Sequence, residues 1–343
     1  MSTERGVSPP AWDEASIELT AGALPEAHRT AALALVSTAL EHDGVVAVTE
    51  AQHLALQTGD PAVTHLLAWQ GNQLVGYAQQ VPDGASAELV VAPAFRRRGL
   101  ASAMIGLLSD NFPQVCWWAH GDLPPARATA DALGLSPVRE LWQMSMLQPA
   151  QSMLAAWSEH QATPRSTDPA TAPGLTTRTF QPGQDEDAWV ELNAVAFAGH
   201  PEQGKLTRAD LEQRMAQPWF DPAGFFVLHP AGRPTELLGY CWTKVDNQAG
   251  EIYAIGLRPE AQGRRLGTAL LERGLRHLTS RGLEHLVLYV EADNAPAVAA
   301  YRRQGFEVTQ RHVQYARDPE LEPELEPELE PELEPEPEPE PEE

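Results

Sequence analysis

Residues 250–280 read GEIYAIGLRPEAQGRRLGTALLERGLRHLTS, and this stretch decides the fold. Its opening, residues 251–257, is rich in β-branched and aromatic side chains and reads as a strand. From Gly267 onward, Leu270, Leu271, Gly274, Leu275 and Leu278 recur at the three- and four-residue spacing of an amphipathic helix. Between strand and helix, Gln262, Gly263, Arg264, Arg265, Leu266, Gly267 and Thr268 place backbone N–H groups and two guanidiniums at a helix N-terminus. The first amides of a helix lack intrahelical partners and the helix dipole is positive there, so such an end binds anions. A cradle for a phosphorylated ligand is expected.

A second copy precedes it. Leu89, Val90 and Val91 end a strand, and Arg96, Arg97, Arg98, Gly99, Leu100, Ala101 and Ser102 open a helix. Pro93 and Pro259 stand 166 positions apart, as do Leu100 and Leu266, and Ala101 and Gly267. Further on, Gly134 and Gly305 are 171 apart, so only a few residues intervene between the copies. An internal duplication accounts for this better than two unrelated domains.

The flanking elements fit the same plan. In the first half, helices are expected near 25–41 and 50–57. Three antiparallel strands follow at 63–69, 73–81 and 86–91, joined by turns at Gly71 and at 82–84. Beyond the loop helix come a strand at 115–118, a helix at 125–133 and a closing strand at 140–147. The second half repeats this with helices at 185–198 and 207–216, strands at 225–229, 237–245 and 251–257, the loop helix, a strand at 285–290, a helix at 295–304 and strands through 308–317. Strands beside helices in this order predict a mixed α/β (α+β) sheet, built twice. The expected domains are 1–150 and 175–317. A Ser/Thr/Pro-rich linker, 151–174, joins them, with a helical turn expected near 152–159.

Composition bounds the function. The net charge of −24 is misleading, because 13 of the Glu residues lie in the last 24 positions. There, regular Pro and dense like charge predict a disordered, extended tail over 318–343. No Lys/Arg stripe suits a nucleic-acid backbone. No membrane-length apolar run and no signal-peptide pattern occur, so a cytoplasmic protein is expected, and a monomer. Cys116 and Cys241 lie far apart without a CxxC, which argues for free buried thiols and against structural zinc; no metal is expected.

The strand–loop–helix with its [Gln/Arg]-x-x-Gly-x-[Gly/Ala] loop resembles the GNAT superfamily of acyl-CoA-dependent N-acyltransferases. Residues 96–101 match in full; residues 262–267 depart once, Arg265 standing where Gly is usual. A second signature is Asn294-Ala295-Pro296-Ala297-Val298-Ala299 followed by Tyr301, Gly305 and Phe306. It resembles the Asn-x-x-Ala-x-x-x-Tyr-x-x-x-Gly-[Phe/Tyr] run of these enzymes. The first half offers only Leu123, Ala130 and Gly134 there. The resemblance implies acetyl-CoA as cosubstrate, with the loops on its pyrophosphate and Leu89–Val91 or Ile255, Gly256 and Leu257 along its pantetheine arm. The helix from Asn294 would also touch it. The first half would bind the cofactor or act as scaffold without catalysis.

More narrowly, residues 20–317 resemble a tandem-domain branch of the superfamily, through 197–204 (FAGHPEQG), 218–224 (PWFDPAG), 241–245 (CWTKV) and 288–294 (LYVEADN). That resemblance implies acetylation of the cysteinyl amine of cysteinyl-glucosaminyl-inositol. It points to Lys244, Glu202, Tyr289 and, across from the first half, Glu50 as acceptor contacts. An α-amine with pKa ~8 costs only about 1–1.4 kcal/mol to deprotonate at neutral pH, so a modest carboxylate base is enough. Glu251, at the start of the motif strand, is the expected base and acceptor contact, with Ala85 as its counterpart at the strict offset of 166 and Glu88 nearby. Tyr301 is the expected acid for the departing thiolate. Two alternatives stay open: another small amine or a protein N-terminus as acceptor, and a non-catalytic CoA-sensing module.

Overall fold

The computed structural model describes residues 15–81, 85–147, 174–200, 202–246 and 249–317. The turn expected at 82–84, the linker up to residue 173 with its helical turn, and the acidic tail lie outside the described residues.

The first half contains β1 (Ala15–Ala21), α1 (Glu26–Asp43), α2 (Glu50–Thr58), β2 (Thr64–Gln70), β3 (Gln73–Gln80), β4 (Ser86–Val91), α3 (Leu100–Asn111), β5 (Cys116–Ala119), α4 (Pro124–Ala132) and β6 (Leu135–Leu147). The second contains β7 (Leu175–Thr179), α5 (Glu186–Ala196), α6 (Arg208–Met215), β8 (Phe225–Pro230), β9 (Gly239–Asp246), β10 (Ala249–Leu257), α7 (Leu266–Ser280), β11 (His285–Glu291), α8 (Ala295–Arg303) and β12 (Glu307–Arg317). Among the described residues, twelve strands form one mixed sheet in the order β1-β2-β3-β4-β5-β12-β6-β11-β10-β9-β8-β7.

Alternation along the strands supplies apolar side chains to both faces. In the first half, Leu67, Tyr77 and Val90 face α1, while Leu66, Ala78 and Ala87 face α3. In the second, Tyr240 and Trp242 pack with Trp189 of α5 and Leu211 of α6, while Cys241 and Ile252 pack under Leu270, Leu271 and Leu275 of α7.

The strand expected to close the first half does so in the other half's sheet. β6 pairs antiparallel with β11, from His285↔Leu147 to Glu291↔Leu141, and also with β12. β12 in turn reaches β5 of the first half through Val313↔Ala119 and Tyr315↔Trp117. The cores follow: Met144 and Met146 of β6 are buried among second-half residues, Val313 and Tyr315 of β12 among first-half residues. The exchange pairs both final strands on both sides, so no unpaired backbone edge is left at the junction.

Candidate active site

Parallel strands diverge at the same place in both halves. β4 and β5 pair only from Ser86↔Cys116 to Glu88↔Trp118, and β10 and β11 only from Ala249↔His285 to Ile252↔Leu288. Beyond these points residues 89–91 and 254–257 have strand partners on one side only, β3 and β9. Each splay leads straight into an Arg-rich loop and a helix N-terminus, α3 or α7.

The two loops share one backbone shape built with the glycine in different places. Arg97 (φ 62°) and Gly99 (φ 83°) take the left-handed conformation in the first, Gly263 (φ 72°) and Arg265 (φ 60°) in the second. The departure from pattern at Arg265 therefore leaves the turn intact, at the cost of about 1–2 kcal/mol for a side-chain-bearing residue in that region.

Leu89, Val90, Val91, Arg97, Gly99, Leu100, Ala101 and Ser102 line a cavity of about 450 Å³ in the first half, with Val45, Trp118 and His120 also in its lining. Arg98 is turned away, bonding the Ala94 carbonyl at 2.9 Å and lying over Phe95. Arg96 instead ties loop to scaffold, with paired 2.7 Å bonds to Asp43 and a bond to the Val91 carbonyl.

At the base of the second splay, Glu251 stands cross-strand from Lys244. Lys244 Nζ donates to Glu50 Oε1 at 2.6 Å, so α2 of the first half reaches into this site. The ammonium also lies 4.8 Å from the Trp219 ring and 5.5 Å from Tyr253. Burial pushes the Glu251 carboxyl up to about 7; Lys244 opposes this, while Glu50 and Asp246 add to it. Burial, with Glu251 and Glu50 adding, raises the Tyr289 phenol above its ordinary range, consistent with its place at the same cleft. A carboxyl poised near neutrality beside an ammonium is an electrostatic pattern suited to proton transfer.

Residue Tyr253 is an insertion. Between Ile252 and Ala254 the β9–β10 register slips by one residue, whereas β3–β4 runs without a slip. Such bulges re-aim side chains near active sites. Below it the halves correspond at an offset of 165, so Ser86, not Ala85, occupies the place of Glu251, and Val81 that of Lys244; Val81 N–H bonds Ser86 O at 3.0 Å. Glu88 corresponds to Ala254. The first half thus has neither the carboxylate nor the lysine at the equivalent positions.

The remaining expected residues divide. Tyr301 is 8% exposed and packs in the cluster that also takes in Ile255 and Leu257; burial holds its phenol above the ordinary range. Asn294 caps α8, Oδ1 accepting from the Ala297 N–H at 3.2 Å. Pro296 sits in that first turn, and Val298 is buried below it while Ala295 and Ala299 are exposed. The loop residues Gln262, Arg264 and Arg265 are exposed, whereas Leu266 is buried and Gly267 and Thr268 are half-buried at the start of α7. Glu202 does not join Lys244: it pairs with Arg139 of β6 at 3.0 Å, which also binds Glu291 at 2.6 Å. His200 belongs to that group, 3.3 Å from Arg139, and its Nδ1 accepts the Gln203 N–H. A Cβ on Gly256 would come within 2.8 Å of Tyr240 and 3.0 Å of Phe197, so that glycine lets β10 pack against its own half. Cys241 is a free buried thiol as expected, whereas Cys116 is free but only half-buried.

The sequence reading missed Trp219, Tyr253 and Arg139. Trp219 lay within a motif already quoted and Tyr253 within the decisive strand; Arg139 carried no local signal. Among the described residues, no group of three or more His, Cys, Asp or Glu could hold a metal ion, and no helix is long and apolar enough to cross a membrane.

Twice-repeated splay, loop and helix define an acyltransferase fold, and comparison agrees. The model of the acetyltransferase (GNAT) family matches residues 32–132 and 187–306. The mycothiol acetyltransferase of Cellulomonas flavigena is 44% identical over 333 residues, 89% of this chain and 91% of that protein. That of Streptomyces bingchenggensis is 46% identical over 293, covering 82% and 91%. Among solved structures, a GCN5-related N-acetyltransferase from Sphaerobacter thermophilus (TM-score 0.59, 23% identity, 87% and 94% covered) and a tandem GNAT protein from the clavulanic acid biosynthesis pathway (0.59, 19%, 88% and 98%) share the fold. The chain belongs to the GNAT acetyltransferases, as an acetyl-CoA-dependent N-acetyltransferase, and within them to the mycothiol acetyltransferases.

Proposed function

We propose that the second half transfers acetyl from acetyl-CoA to the cysteinyl amine of cysteinyl-glucosaminyl-inositol, forming mycothiol. The observation that carries the reading is the Glu251–Lys244–Glu50 group at the base of the β10–β11 splay. The cofactor's pyrophosphate would lie on the amides and guanidiniums of residues 262–268, and its pantetheine along residues 255–257. Glu251 takes a proton from the acceptor's ammonium, and the neutral nitrogen attacks the thioester carbon. Backbone N–H groups of β10 at the splay stabilise the oxyanion. As the intermediate collapses the C–S bond breaks, Tyr301 protonates the departing CoA thiolate, and the proton still on nitrogen leaves to solvent, from which the tyrosinate is reprotonated. Carboxylate, ammonium and phenol groups (Glu50, Lys244, Tyr289) suit a polyol acceptor. Glu202, drawn to Arg139, contacts the end of the acceptor remote from its amine.

The first half is proposed as a CoA-binding scaffold without catalysis. Its cavity and loop support binding, and Ser86 and Val81 in place of Glu251 and Lys244 argue against chemistry there. The test is acetyl-CoA consumption over an amine panel. The cysteinyl pseudodisaccharide should be the preferred acceptor, and the same molecule without its cysteine inert. Equal rates with unrelated amines would refute the assignment.

A further inference from the structure

A buried polar chain links the halves away from the groups assigned to chemistry. Glu88 of β4 is 1% exposed. Its Oε2 accepts the Thr49 N–H at 2.7 Å, and its Oε1 lies 3.1 Å from His120 Nε2. His120 Nδ1 is 3.2 Å from Nδ1 of His312, on β12. His312 Nδ1 also accepts the Gly121 N–H at 3.3 Å.

The donors can be counted. A backbone N–H only donates, so His312 Nδ1 is an acceptor, and the hydrogen between the two rings belongs to His120 Nδ1. A carboxylate only accepts, so the contact of Glu88 with His120 Nε2 needs a proton as well. The Glu88–His120 pair therefore holds a proton between them, and both His120 nitrogens are engaged. Burial lowers His312 to about 4, in keeping with a neutral acceptor ring. Other groups face the chain: Trp118 stacks on His120 with the Arg139 guanidinium on its ring, Gln79 is cross-strand from Glu88, and Tyr289 lies against His312.

The chain ends where it matters for the second half. Thr49 is the N-cap of α2, and the next residue, Glu50, is the one that reaches Lys244. We propose that Glu88, His120 and His312 are positioning residues of the acceptor site, fixing the N-terminus of α2 and so holding Glu50 against Lys244. This rests on the assignment of Glu50 and Lys244 to that site. Glu88 is not a latent base, because it corresponds to Ala254 and both its oxygens are already bonded. Breaking the chain at any one member leaves a buried polar group without its hydrogen-bond partner, which couples the three.

The experiment is steady-state kinetics on the full chain for Glu88→Gln, Glu50→Ala and the double variant. In Glu88→Gln a neutral amide replaces the carboxylate, so only one of the two contacts, with the Thr49 N–H or with His120 Nε2, still meets an oxygen. The acceptor KM should rise about tenfold, the scale of one charged hydrogen bond, with the acetyl-CoA KM unchanged. In the Glu50→Ala background the same substitution should add nothing further. Additive effects, or an unchanged acceptor KM in folded Glu88→Gln, would overturn the positioning role. An unchanged acceptor KM in Glu50→Ala itself would instead remove the acceptor-site assignment, and this role with it. Nitrogen NMR of the wild-type imidazoles needs no variant: a proton on His120 Nδ1 and none on His312 Nδ1 is expected, and a bare His120 Nδ1 would contradict the chain.

Discussion

Lys244 and Glu251 face each other across the β9–β10 ladder, and the lysine is simultaneously held by Glu50 from the opposite half. The triad sets the charge state of the proposed base. Glu251 is raised by burial and by Glu50, and restrained by Lys244. The value of about 7 gives two pH dependences of opposite sense. With the carboxylate form of Glu251 as the proposed base, kcat/KM should climb as pH rises through about 7. Stability runs the other way, because a carboxyl with a raised folded pKa binds more protons folded than unfolded between 4.5 and about 7. Its contribution is present below that window and lost above it. Glu251→Gln should therefore gain stability relative to wild type at pH 8 compared with pH 5, measured by denaturant unfolding.

Charge neighbours should move the acid limb of the rate profile in predictable directions. Lys244→Met removes the cation that favours the carboxylate, so the limb shifts to higher pH. Glu50→Gln removes a repulsive charge, so it shifts lower. Profiles of kcat/KM against pH check both, and shifts in the same direction would refute the electrostatic account.

At the loop, Arg265→Gly should stabilise the protein by about 0.5–1 kcal/mol, the left-handed strain relieved less the extra chain entropy of glycine. Gly99→Ala, placing a Cβ at φ 83°, should destabilise it by about 1–2 kcal/mol. Calorimetric Tm values on the pair decide this.

Tyr301→Phe should slow the chemical step by about 10²-fold, the lower end for loss of a general acid. The acetyl-CoA dissociation constant should stay within error, because the ring and its packing survive. A large loss of affinity would assign Tyr301 to binding.

The strand exchange bears on how the halves can be studied. A fragment ending at residue 150 lacks β12, which leaves β5 and β6 without their shared neighbour. It should be unfolded or self-associating in circular dichroism and gel filtration, whereas a chain cleaved within the linker should stay assembled.

Periodic and local features were legible in the sequence. The strand, loop and helix of 250–280 announced themselves because helix and strand periods differ and because Gly and Arg crowd one turn. The duplication followed from fixed offsets. What escaped depends on register and long-range pairing. The bulge at Tyr253 moves the counterpart of Glu251 from Ala85 to Ser86, and no sequence offset reveals a one-residue slip inside a ladder. β6 and β12 alternate like any half-buried strands, and nothing in that alternation says which neighbour they choose. The Arg139 cluster joins residues from distant elements, so the link between Glu202 and Glu291 was invisible. Glu50 and Lys244 came from family likeness; the structure brings them together at 2.6 Å.

The central claim is that Glu251 removes the proton that lets the acceptor amine attack. Turnover of Glu251→Gln with saturating acetyl-CoA and the cysteinyl pseudodisaccharide tests it most directly. The account predicts a fall in kcat of about 10²–10⁴, with the rise through neutral pH abolished and acetyl-CoA binding retained. Wild-type turnover with an unchanged pH profile would contradict it.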